Sequence, residues 1–347
     1  ARGYGTVVTS QANFLRVVTD DVAKLQERLG DEGPYELLCV VRALLKKIKQ
    51  RVLVGDAVDV LGIDWVDQRA MVETVHARRS ELVDPPVANV DHALLVFALE
   101  RPPLEAKQLT RFLVSMEATG VPFTLVLNKS DLCSEEQKAD WAARLEQWGY
   151  VPRFVSVATG EGEDGFGSLS GPDPGPRSVT VLAGPSGVGK SSLINRLRAG
   201  GGGGGARGSI SLDGLELQSV KAVSSKLGRG RHTTRHVTLL PLRSGGLLAD
   251  TPGFGYPSLN TLTTATLPEC FPEIVRAKTQ LGACKFSDCT HRDEPGCVVD
   301  ELMPWEEDRY DFYADMFDEV EQIERVERER GKRVSEQRTK YKSGKGG

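Results

Sequence analysis

Residues 184–191 read Gly-Pro-Ser-Gly-Val-Gly-Lys-Ser and fit the phosphate-loop pattern G-x4-G-K-[ST]. The apolar, β-branched run 179–183 precedes this pattern, and Leu193, Ile194 and Leu197 follow it at helical spacing. A strand, a glycine-rich loop and a helix in this order bring backbone N–H groups and a helix N-terminus to one anion. The alternative is an ordinary glycine-rich turn, which we set aside because the full pattern occurs in this context. The stretch therefore predicts an α/β domain that binds a nucleotide.

Two side chains of this phosphate loop are expected to act on the nucleotide directly. Lys190 would reach the β- and γ-phosphates, and the Ser191 hydroxyl would bind Mg²⁺. The rest of the loop offers mainly backbone N–H groups, because its glycines let the chain fold around an anion. The candidate phosphate-binding residues are Gly184, Pro185, Ser186, Gly187, Val188, Gly189, Lys190, Ser191 and Ser192.

A four-residue motif indicates which base is bound. The apolar run 122–127 predicts a buried strand, and Asn128-Lys129-Ser130-Asp131 follows it as N-K-x-D. The Asp131 carboxylate can accept two hydrogen bonds from the Watson–Crick edge of guanine, whereas adenine would leave it unpaired. Asn128 would orient the loop and reach the base, and the Lys129 stem would lie along the ring. The motif is weak alone, but at the end of a strand in a chain with a phosphate loop it predicts GTP.

A third loop is predicted to back the guanine O6. The run Val151–Val155 indicates a strand, and Ser156, Val157 and Ala158 follow it in the place of an S-A-x loop. Val157 stands where Ala is usual, so this is the weakest of the nucleotide motifs.

Two switch segments come after the phosphate loop. Thr233 and Thr234 lie in a Gly- and Arg-rich stretch, where a threonine can close over the γ-phosphate and Mg²⁺. We take Thr234 as the candidate Mg²⁺ ligand, although the sequence does not decide between the two threonines. A D-x-x-G motif begins at Asp250, which would hold Mg²⁺ through water, and ends at Gly253, whose N–H would sense the γ-phosphate.

The order of these motifs is unusual, because base recognition comes first and the phosphate loop and switches come second. A parallel sheet tolerates such a permutation, since the termini of the ordinary fold lie close together. We therefore predict a circularly permuted GTPase domain whose site is assembled in space. Because the D-x-x-G motif leads straight into the C-terminal region, we also expect the nucleotide state to be transmitted there.

Residues 1–76 predict a small β-barrel of the OB-fold type, because short β-rich runs alternate with turn residues. A basic stretch, Arg42–Arg51, lies in or beside one connection. It indicates either a nucleic-acid-binding loop or a solvated loop, and these residues alone do not decide between them. The predicted strands are Gly5–Val8, Phe14–Val18, Leu37–Val41, Val52–Val54, Ala57–Leu61 and Met71–Val75.

The C-terminal region carries a metal-ligand pattern. Cys284, Cys289, His291 and Cys297 have the spacing C-x4-C-x-H-x5-C. Three thiolates and one imidazole make a closed tetrahedral set for Zn²⁺, and scattered reduced cysteines are the alternative. A nucleotide site argues for a reducing compartment, where such a cluster binds metal rather than forming disulfides. We therefore predict a structural zinc knuckle.

Charge and hydropathy bound the remaining possibilities. The net charge of -4 does not suggest a nucleic-acid binder, and no apolar run is long enough to predict a membrane span.

Trp305–Arg330 predicts a helix that ends at Gly331. The basic residues 331–347 predict a disordered tail, with RNA contact as the alternative.

These features together predict a multidomain chain. Residues 1–80 form the OB-fold barrel, residues 81–258 form a circularly permuted α/β P-loop GTPase domain, and residues 259–347 form a mainly helical zinc-binding domain with a basic tail.

Four features point to one family: the permuted motif order, Gly-Arg-Gly-Arg-His-Thr-Thr at 228–234, Asp-Thr-Pro-Gly-Phe at 250–254, and the cysteine pattern with Glu294-Pro295-Gly296 before its last member. Taken together they resemble the circularly permuted RsgA/YjeQ GTPases. The resemblance covers nearly the whole chain. The sequence departs from the family pattern at Arg235, at the six glycines Gly200–Gly205 and after the last cysteine.

The resemblance implies ribosome-stimulated GTP hydrolysis in late maturation of the small ribosomal subunit. It implies that the OB and zinc domains contact rRNA, and that GTP or GDP, Mg²⁺ and Zn²⁺ are bound. We expect neither DNA nor a membrane as a partner, and we expect a monomer.

The catalytic residue is less obvious than the binding residues. Phe254 stands where Ras-like enzymes place a water-orienting Gln, so intrinsic hydrolysis should be slow. His232 is the best substitute, because an imidazole can orient water or share its proton. The alternative is that His232 faces RNA or solvent beside the arginines.

Two other functions stay open at this point. One is an RNA-binding scaffold whose nucleotide site only regulates docking, and the other is a switch with protein partners. The sequence begins at Ala1 rather than Met, so we expect a cytoplasmic protein or, if a transit peptide was removed, an organellar one.

Overall fold

The computed structural model divides the chain into two units. It describes residues 2–11, 14–19, 36–48, 50–82, 86–162, 178–199, 237–242, 246–250, 257–299 and 307–343. The first unit comprises Ala1–Pro102, Val121–Cys133 and Arg153–Gly255, and the second comprises Pro103–Gly120, Ser134–Pro152 and Tyr256–Gly347.

Five strands of the first unit close into a barrel. They are β1 (Arg2–Ser10), β2 (Leu15–Thr19), β3 (Glu36–Val41), β4 (Ala57–Asp64) and β5 (Arg69–Val75). The hydrogen-bonded order is β1-β2-β3-β5-β4, and β4 returns to pair with β1. Only β3 and β5 run parallel among these neighbours. The predicted OB-like barrel is therefore confirmed.

The barrel interior follows from the alternation of side chains along each strand. Val7, Val17, Leu37, Val58 and Val72 are all 0% exposed and point into one apolar core. Successive side chains of a strand point to opposite faces, so the residues between them lie outside the barrel. The register of each strand is thereby fixed by one buried face.

The predicted strand Val52–Val54 is wrong. Only Val54 pairs, as an isolated bridge with Val87. The Asp56 carboxylate accepts a hydrogen bond from the backbone N–H of Leu53 at 2.7 Å, which closes this segment into a turn. Short polar side chains that bond their own backbone compete with a ladder in this way.

The remaining strands of the first unit are β6 (Glu81–Leu82), β7 (Val87–Ala88), β8 (Val90–Ala98), β9 (Phe123–Asn128), β10 (Arg153–Phe154), β11 (Val179–Ala183), β12 (Thr238–Pro241) and β13 (Leu247–Asp250). β6 and β7 form a small separate sheet. The others are ordered β10-β9-β8-β11-β13-β12, and all neighbours are parallel except β12 and β13. β12 also pairs with β1 at Thr238 and Thr9, so this sheet is continuous with the barrel.

The central strand β8 is buried on both faces, since Leu94 and Leu95 point to opposite faces and are both 0% exposed. Leu94, Val96 and Leu182 of the central strands join Leu193 and Leu248 in one buried cluster. Continuous apolar strands are typical of parallel sheets that are covered on both sides. Because these strands are parallel, their carboxyl ends lie at one edge, where such sheets bind ligands.

The helices are α1 (Ala43–Lys47), α2 (Ala106–Glu117), α3 (Glu135–Gln147), α4 (Lys190–Ala199), α5 (Pro272–Leu281) and α6 (Glu307–Ser343). Short 3-10 helices span Ser130–Leu132 and Leu267–Cys270. Helix α3 begins with a capping box between Ser134 and Gln137, which satisfies two backbone N–H groups at its start. Among the residues with described positions, no helix combines the length and the apolar character that crossing a bilayer requires.

The second unit packs α2, α5 and α6 around an apolar core. Val114 of α2 meets Phe271 and Ile274 near the start of α5, and Tyr313 and Val320 of α6 complete the contact. The Phe271 and Tyr313 rings meet edge to face with centroids 5.0 Å apart, a favoured aromatic geometry. The predicted mainly helical C-terminal region is confirmed.

The prediction that the last helix ends at Gly331 is wrong. Helix α6 runs on to Ser343, so the predicted disorder of the tail is also wrong for residues 331–343, and residues 344–347 lie outside the described part of the chain. One glycine costs a helix only about 1 kcal/mol relative to Ala. The residues around Gly331 are mostly Glu, Arg, Lys and Gln, which are strong helix formers and outweigh that cost.

Candidate nucleotide-binding site and metal cluster

The phosphate loop leaves β11 and enters α4, as predicted. Its glycines Gly184, Gly187 and Gly189 have positive φ values of 139°, 83° and 96°. A Cβ on Gly184 would lie 2.0 Å from the carbonyl oxygen of Val96, so a larger residue has no room there. The glycines therefore let the loop turn tightly against β8 at the carboxyl edge of the sheet.

Lys190 is buried inside this loop. Its ammonium donates to the carbonyl oxygens of Gly184 at 2.8 Å and Pro185 at 2.5 Å. Burial lowers its pKa, because desolvation disfavours the charged form. Ser191 and Ser192 are exposed in the first turn of α4. The loop thus presents one held cation and two exposed hydroxyl-bearing residues at a helix N-terminus.

Asn128 joins the base-recognition motif to the phosphate loop. Its side chain is 2% exposed, and its Nδ2 donates to the Val188 carbonyl at 2.8 Å. Its Oδ1 accepts from the backbone N–H of Val157 at 3.4 Å. One amide therefore holds three of the predicted nucleotide loops together.

Lys129 makes a second connection between the same loops. Its backbone is left-handed, with a φ of 62°. Its ammonium donates to the Gly187 carbonyl at 2.8 Å and to the carbonyl of Arg101. The role of Arg101 was missed by the sequence analysis, because a backbone carbonyl leaves no signature in the sequence.

Asp131 lies beside the predicted base-backing loop. Its Oδ1 accepts a hydrogen bond from the Ser156 hydroxyl at 2.5 Å. The neighbouring Ser130 hydroxyl donates to the Glu161 carboxylate at 2.9 Å, and the Ser156 N–H donates to the Glu161 carbonyl. Val157 packs against the apolar core of the sheet, and Ala158 is exposed. Glu161 is a second residue that the sequence analysis missed.

The predicted switch residues are only partly described. Asp250 is the last residue of β13 and pairs with Thr238, which places it at the same sheet edge as the start of the phosphate loop. The candidates His232, Thr233, Thr234 and Gly253 lie outside the described residues.

The four predicted metal ligands converge in the second unit. The ligand atoms of Cys284, Cys289, His291 and Cys297 all lie within 4.8 Å of one another. The His291 Nδ1 is 3.5, 3.6 and 3.4 Å from the three sulfurs in that order. Zn–S and Zn–N bonds of about 2.3 and 2.0 Å at tetrahedral angles place sulfur and nitrogen about 3.5 Å apart. These residues therefore fit a tetrahedral Zn²⁺ ion.

The turn that carries these ligands is held by hydrogen bonds outside the cluster. The Glu294 carboxylate accepts from the backbone N–H groups of Thr290 at 2.7 Å and His291 at 3.1 Å. The Tyr313 hydroxyl of α6 donates to the Thr290 carbonyl at 2.6 Å. Hydrogen bonds from groups that do not themselves bind the metal are known to orient metal ligands in this way.

The sheet and its loops define the class of protein. A phosphate loop and an N-K-x-D motif meet at the carboxyl edge of one parallel sheet, and the base motif precedes the phosphate loop in the chain. This is a circularly permuted P-loop GTPase. A family model described as "RsgA GTPase" matches residues 75–260, and the chain belongs to this family.

Individual relatives cover most of the chain. It is 50% identical over 330 residues to the Arabidopsis thaliana protein "Small ribosomal subunit biogenesis GTPase RsgA 1, mitochondrial", and the match spans 92% of this chain and 74% of that protein. The crystal structure of YjeQ from Thermotoga maritima matches with a TM-score of 0.69 and 28% identity, over 92% of this chain and 99% of that chain. The structure of YloQ, described as a circularly permuted GTPase, matches with a TM-score of 0.67 and 27% identity, over 93% and 96%. The family resemblance seen in the motifs is confirmed.

Proposed function

We propose that this chain hydrolyses GTP as an assembly factor in late maturation of the small ribosomal subunit. The observation that carries the proposal is the Asn128 amide, which ties the guanine motif to the phosphate loop through Val188. One nucleotide would therefore meet both loops. The names of the relatives, which place them in small-subunit biogenesis, support the ribosomal part of the proposal.

In the proposed site each end of the nucleotide has its own residues. Asp131 reads the guanine edge, and Lys190 exchanges its loop carbonyls for β- and γ-phosphate oxygens. Ser191 and Thr234 are the proposed Mg²⁺ ligands, and Asp250 contributes through water. Mg²⁺ held by these residues would supply positive charge next to the phosphate oxygens.

The proposed reaction converts GTP and water into GDP and phosphate. Phe254 cannot hydrogen-bond to water, so we assign the orientation of the attacking water to His232. The Gly253 N–H is assigned to the γ-phosphate. In a His232→Ala chain, partner-stimulated turnover should fall while GTP binding stays normal. Stimulated turnover at the wild-type rate would show that this assignment is wrong.

The partner surfaces are proposed to lie at the two ends of the sequence. The barrel, residues 1–80, carries the exposed Lys47 on α1, and the zinc region, residues 259–347, holds its ligands on one compact turn. We propose that both regions contact rRNA, while the GTPase domain at residues 81–258 binds the nucleotide. We further propose that the chain acts as a monomer in the cytoplasm or in an organelle that has its own ribosomes.

The deciding experiment is GTP turnover by the purified chain alone, with small ribosomal subunits, and with large subunits. We expect strong stimulation by small subunits only, because docking would fix the switch segments in a hydrolysing arrangement. Equally slow turnover in all three mixtures would contradict the ribosomal role. The chain would then be better explained as a scaffold whose nucleotide site regulates docking.

A further inference from the structure

A pair of side chains that no motif assigns ties the loop after β10 to N-K-x-D. The Ser130 hydroxyl, at the third position of N-K-x-D, donates to the Glu161 carboxylate at 2.9 Å. Ser130 is 0% exposed, whereas Glu161 is exposed to solvent. The pair therefore joins a buried hydroxyl of one nucleotide loop to a carboxylate of another, 31 positions later in the chain.

Glu161 also closes the turn that contains Ser156, which we call the Ser156 turn (residues 156–161). The backbone N–H of Ser156 donates to the Glu161 carbonyl at 2.9 Å, and the N–H of Gly160 donates to the Ser156 carbonyl at 2.9 Å. The next residue, Gly162, has a φ of 77°, and a Cβ there would lie 2.6 Å from the carbonyl oxygen of Phe154. The two ends of the Ser156 turn are thus bonded to each other, and the chain leaves it through a position that only glycine fits.

The Ser156 turn places a hydroxyl against the carboxylate that is proposed to recognise guanine. The Ser156 hydroxyl donates to Asp131 Oδ1 at 2.5 Å and accepts from the backbone N–H of Thr159 at 3.2 Å. A carboxylate oxygen has lone pairs for more than one donor, so Asp131 can keep this bond while it accepts from a base. A shift of the Ser156 turn would therefore reorient the Asp131 carboxylate.

We propose that Glu161 is a positioning residue for guanine selectivity. By accepting the Ser130 hydrogen bond it holds the Ser156 turn against N-K-x-D, and the turn in its place fixes the orientation of the Asp131 carboxylate. The inference deepens the proposed function and rests on the proposed recognition of guanine by Asp131. Two hydrogen bonds to one planar base require a fixed carboxylate, and groups that do not touch the ligand supply such fixation.

The burial of Ser130 determines which substitutions are informative. Glu161→Ala leaves a buried hydroxyl without this acceptor, which is unfavourable and loosens the contact between the two loops. Ser130→Ala removes the donor instead and leaves a carboxylate that is exposed to solvent. Glu161→Gln keeps an acceptor oxygen for the Ser130 hydroxyl, so it is the conservative variant.

The measurement compares GDP with inosine diphosphate, whose base lacks the exocyclic amino group of guanine. Asp131 could then bond only the N1–H, whereas contacts to the sugar and the phosphates are the same for both nucleotides. The ratio of the two affinities therefore reports on the Asp131 carboxylate, and a loss shared by both nucleotides cancels in it.

The full chain and each variant are titrated calorimetrically with both nucleotides, and the thermal midpoint of each is recorded. Asp131→Ala tests the basis of the inference. Glu81→Ala is the matched control, because it removes a carboxylate of the first unit that accepts a hydrogen bond from Arg78 at 2.7 Å.

The net contribution of one ordinary hydrogen bond corresponds to about fivefold in affinity. We expect Glu161→Ala and Ser130→Ala each to narrow the preference for GDP over inosine diphosphate by about fivefold. Glu161→Gln and Glu81→Ala should leave the preference within about twofold of wild type.

Three results would overturn the inference alone. One is a preference that Asp131→Ala abolishes but that Glu161→Ala and Ser130→Ala leave at the wild-type value. Another is an equal loss of affinity for both nucleotides in these two variants, because a merely structural role lowers both alike. The third is a narrowing of the same size in Glu81→Ala. If the wild-type chain shows no preference, or Asp131→Ala keeps it, the proposed recognition of guanine by Asp131 fails and this inference fails with it.

Discussion

The buried pair Arg309–Glu273 gives a sharp test of how the second unit is held together. The Arg309 guanidinium donates to the Glu273 carboxylate at 2.7 Å and to the Thr110 hydroxyl at 2.7 Å. It also lies over the rings of Trp148 and Phe271, 4.4 and 4.8 Å from their centroids. One side chain from α6 therefore contacts α2, α5 and the residue after α3.

The magnitude of the effect depends on burial. The two side chains are 1% and 4% exposed, so Arg309→Met would leave the Glu273 carboxylate buried without its cation. Removing one partner of a buried ion pair costs about 3–5 kcal/mol. The exposed pair of Lys107 on α2 and Asp315 on α6 should cost only about 0.5 kcal/mol when it is broken by Lys107→Met.

The assay is unfolding of the full chain in guanidinium chloride, together with hydrogen exchange of the α5 amides. Exchange is needed because a chain with two units need not unfold in one step. We expect Arg309→Met to lose most of the protection of α5, and Lys107→Met to keep it. The double variant Arg309→Met/Glu273→Gln should recover part of the loss, because it removes the stranded charge. If Arg309→Met destabilises the second unit no more than Lys107→Met does, burial does not determine the free-energy cost of breaking an ion pair. That result would refute the reasoning.

Three further outcomes are expected. Gly184→Ala should abolish binding of a fluorescent GDP, because its Cβ would meet a carbonyl oxygen at 2.0 Å, whereas Gly120→Ala, with nothing within 4 Å, should bind normally. Cys297→Ser should lower the zinc content found by elemental analysis, whereas Cys270→Ser, outside the ligand set, should keep it. The hydrogen bonds from Arg111 lower the pKa of Glu319 in the folded chain. The ionised Glu319 therefore stabilises the folded chain above its unfolded pKa of about 4.3, and this stabilisation is lost as the pH falls through the lower folded pKa. Glu319→Gln should remove this part of the acid sensitivity when urea unfolding is measured at about pH 3 to 6.

The nucleotide loops could be predicted because their chemistry depends on residue types at fixed spacing. Gly184 and Gly189 need positive φ and close approach, and Asn128 needs a side-chain amide, so the sequence carries these requirements openly. The same holds for the cysteines and the histidine of the metal cluster, where four donors of the right kind lie close in the chain. Local sequence patterns that each have one chemical interpretation were therefore sufficient to predict the class of protein.

The tertiary contacts could not be predicted in this way. Arg101 acts through its carbonyl, which every residue has. Arg111 lies on an amphipathic helix, and its partners Pro257 and Glu319 lie 146 and 208 positions away. Nothing in the spacing of these residues marks them as neighbours, because packing rather than local sequence brings them together. The extension of α6 past Gly331 was missed for the opposite reason, since one local signal was given more weight than the helix formers around it.

Circular permutation changes which segment follows each motif in the sequence. It does not change where the motif lies in the folded domain. The phosphate loop and the N-K-x-D motif both come directly after parallel strands, so they meet at one sheet edge whichever is first in the chain. The D-x-x-G motif, however, is now the last of the nucleotide motifs, and Pro257 four residues beyond it already belongs to the second unit. The Arg111 guanidinium donates to the Pro257 carbonyl and to the Glu319 carboxylate of α6. Arg111 therefore joins the first residue after this motif that the structure describes to α6, within the second unit.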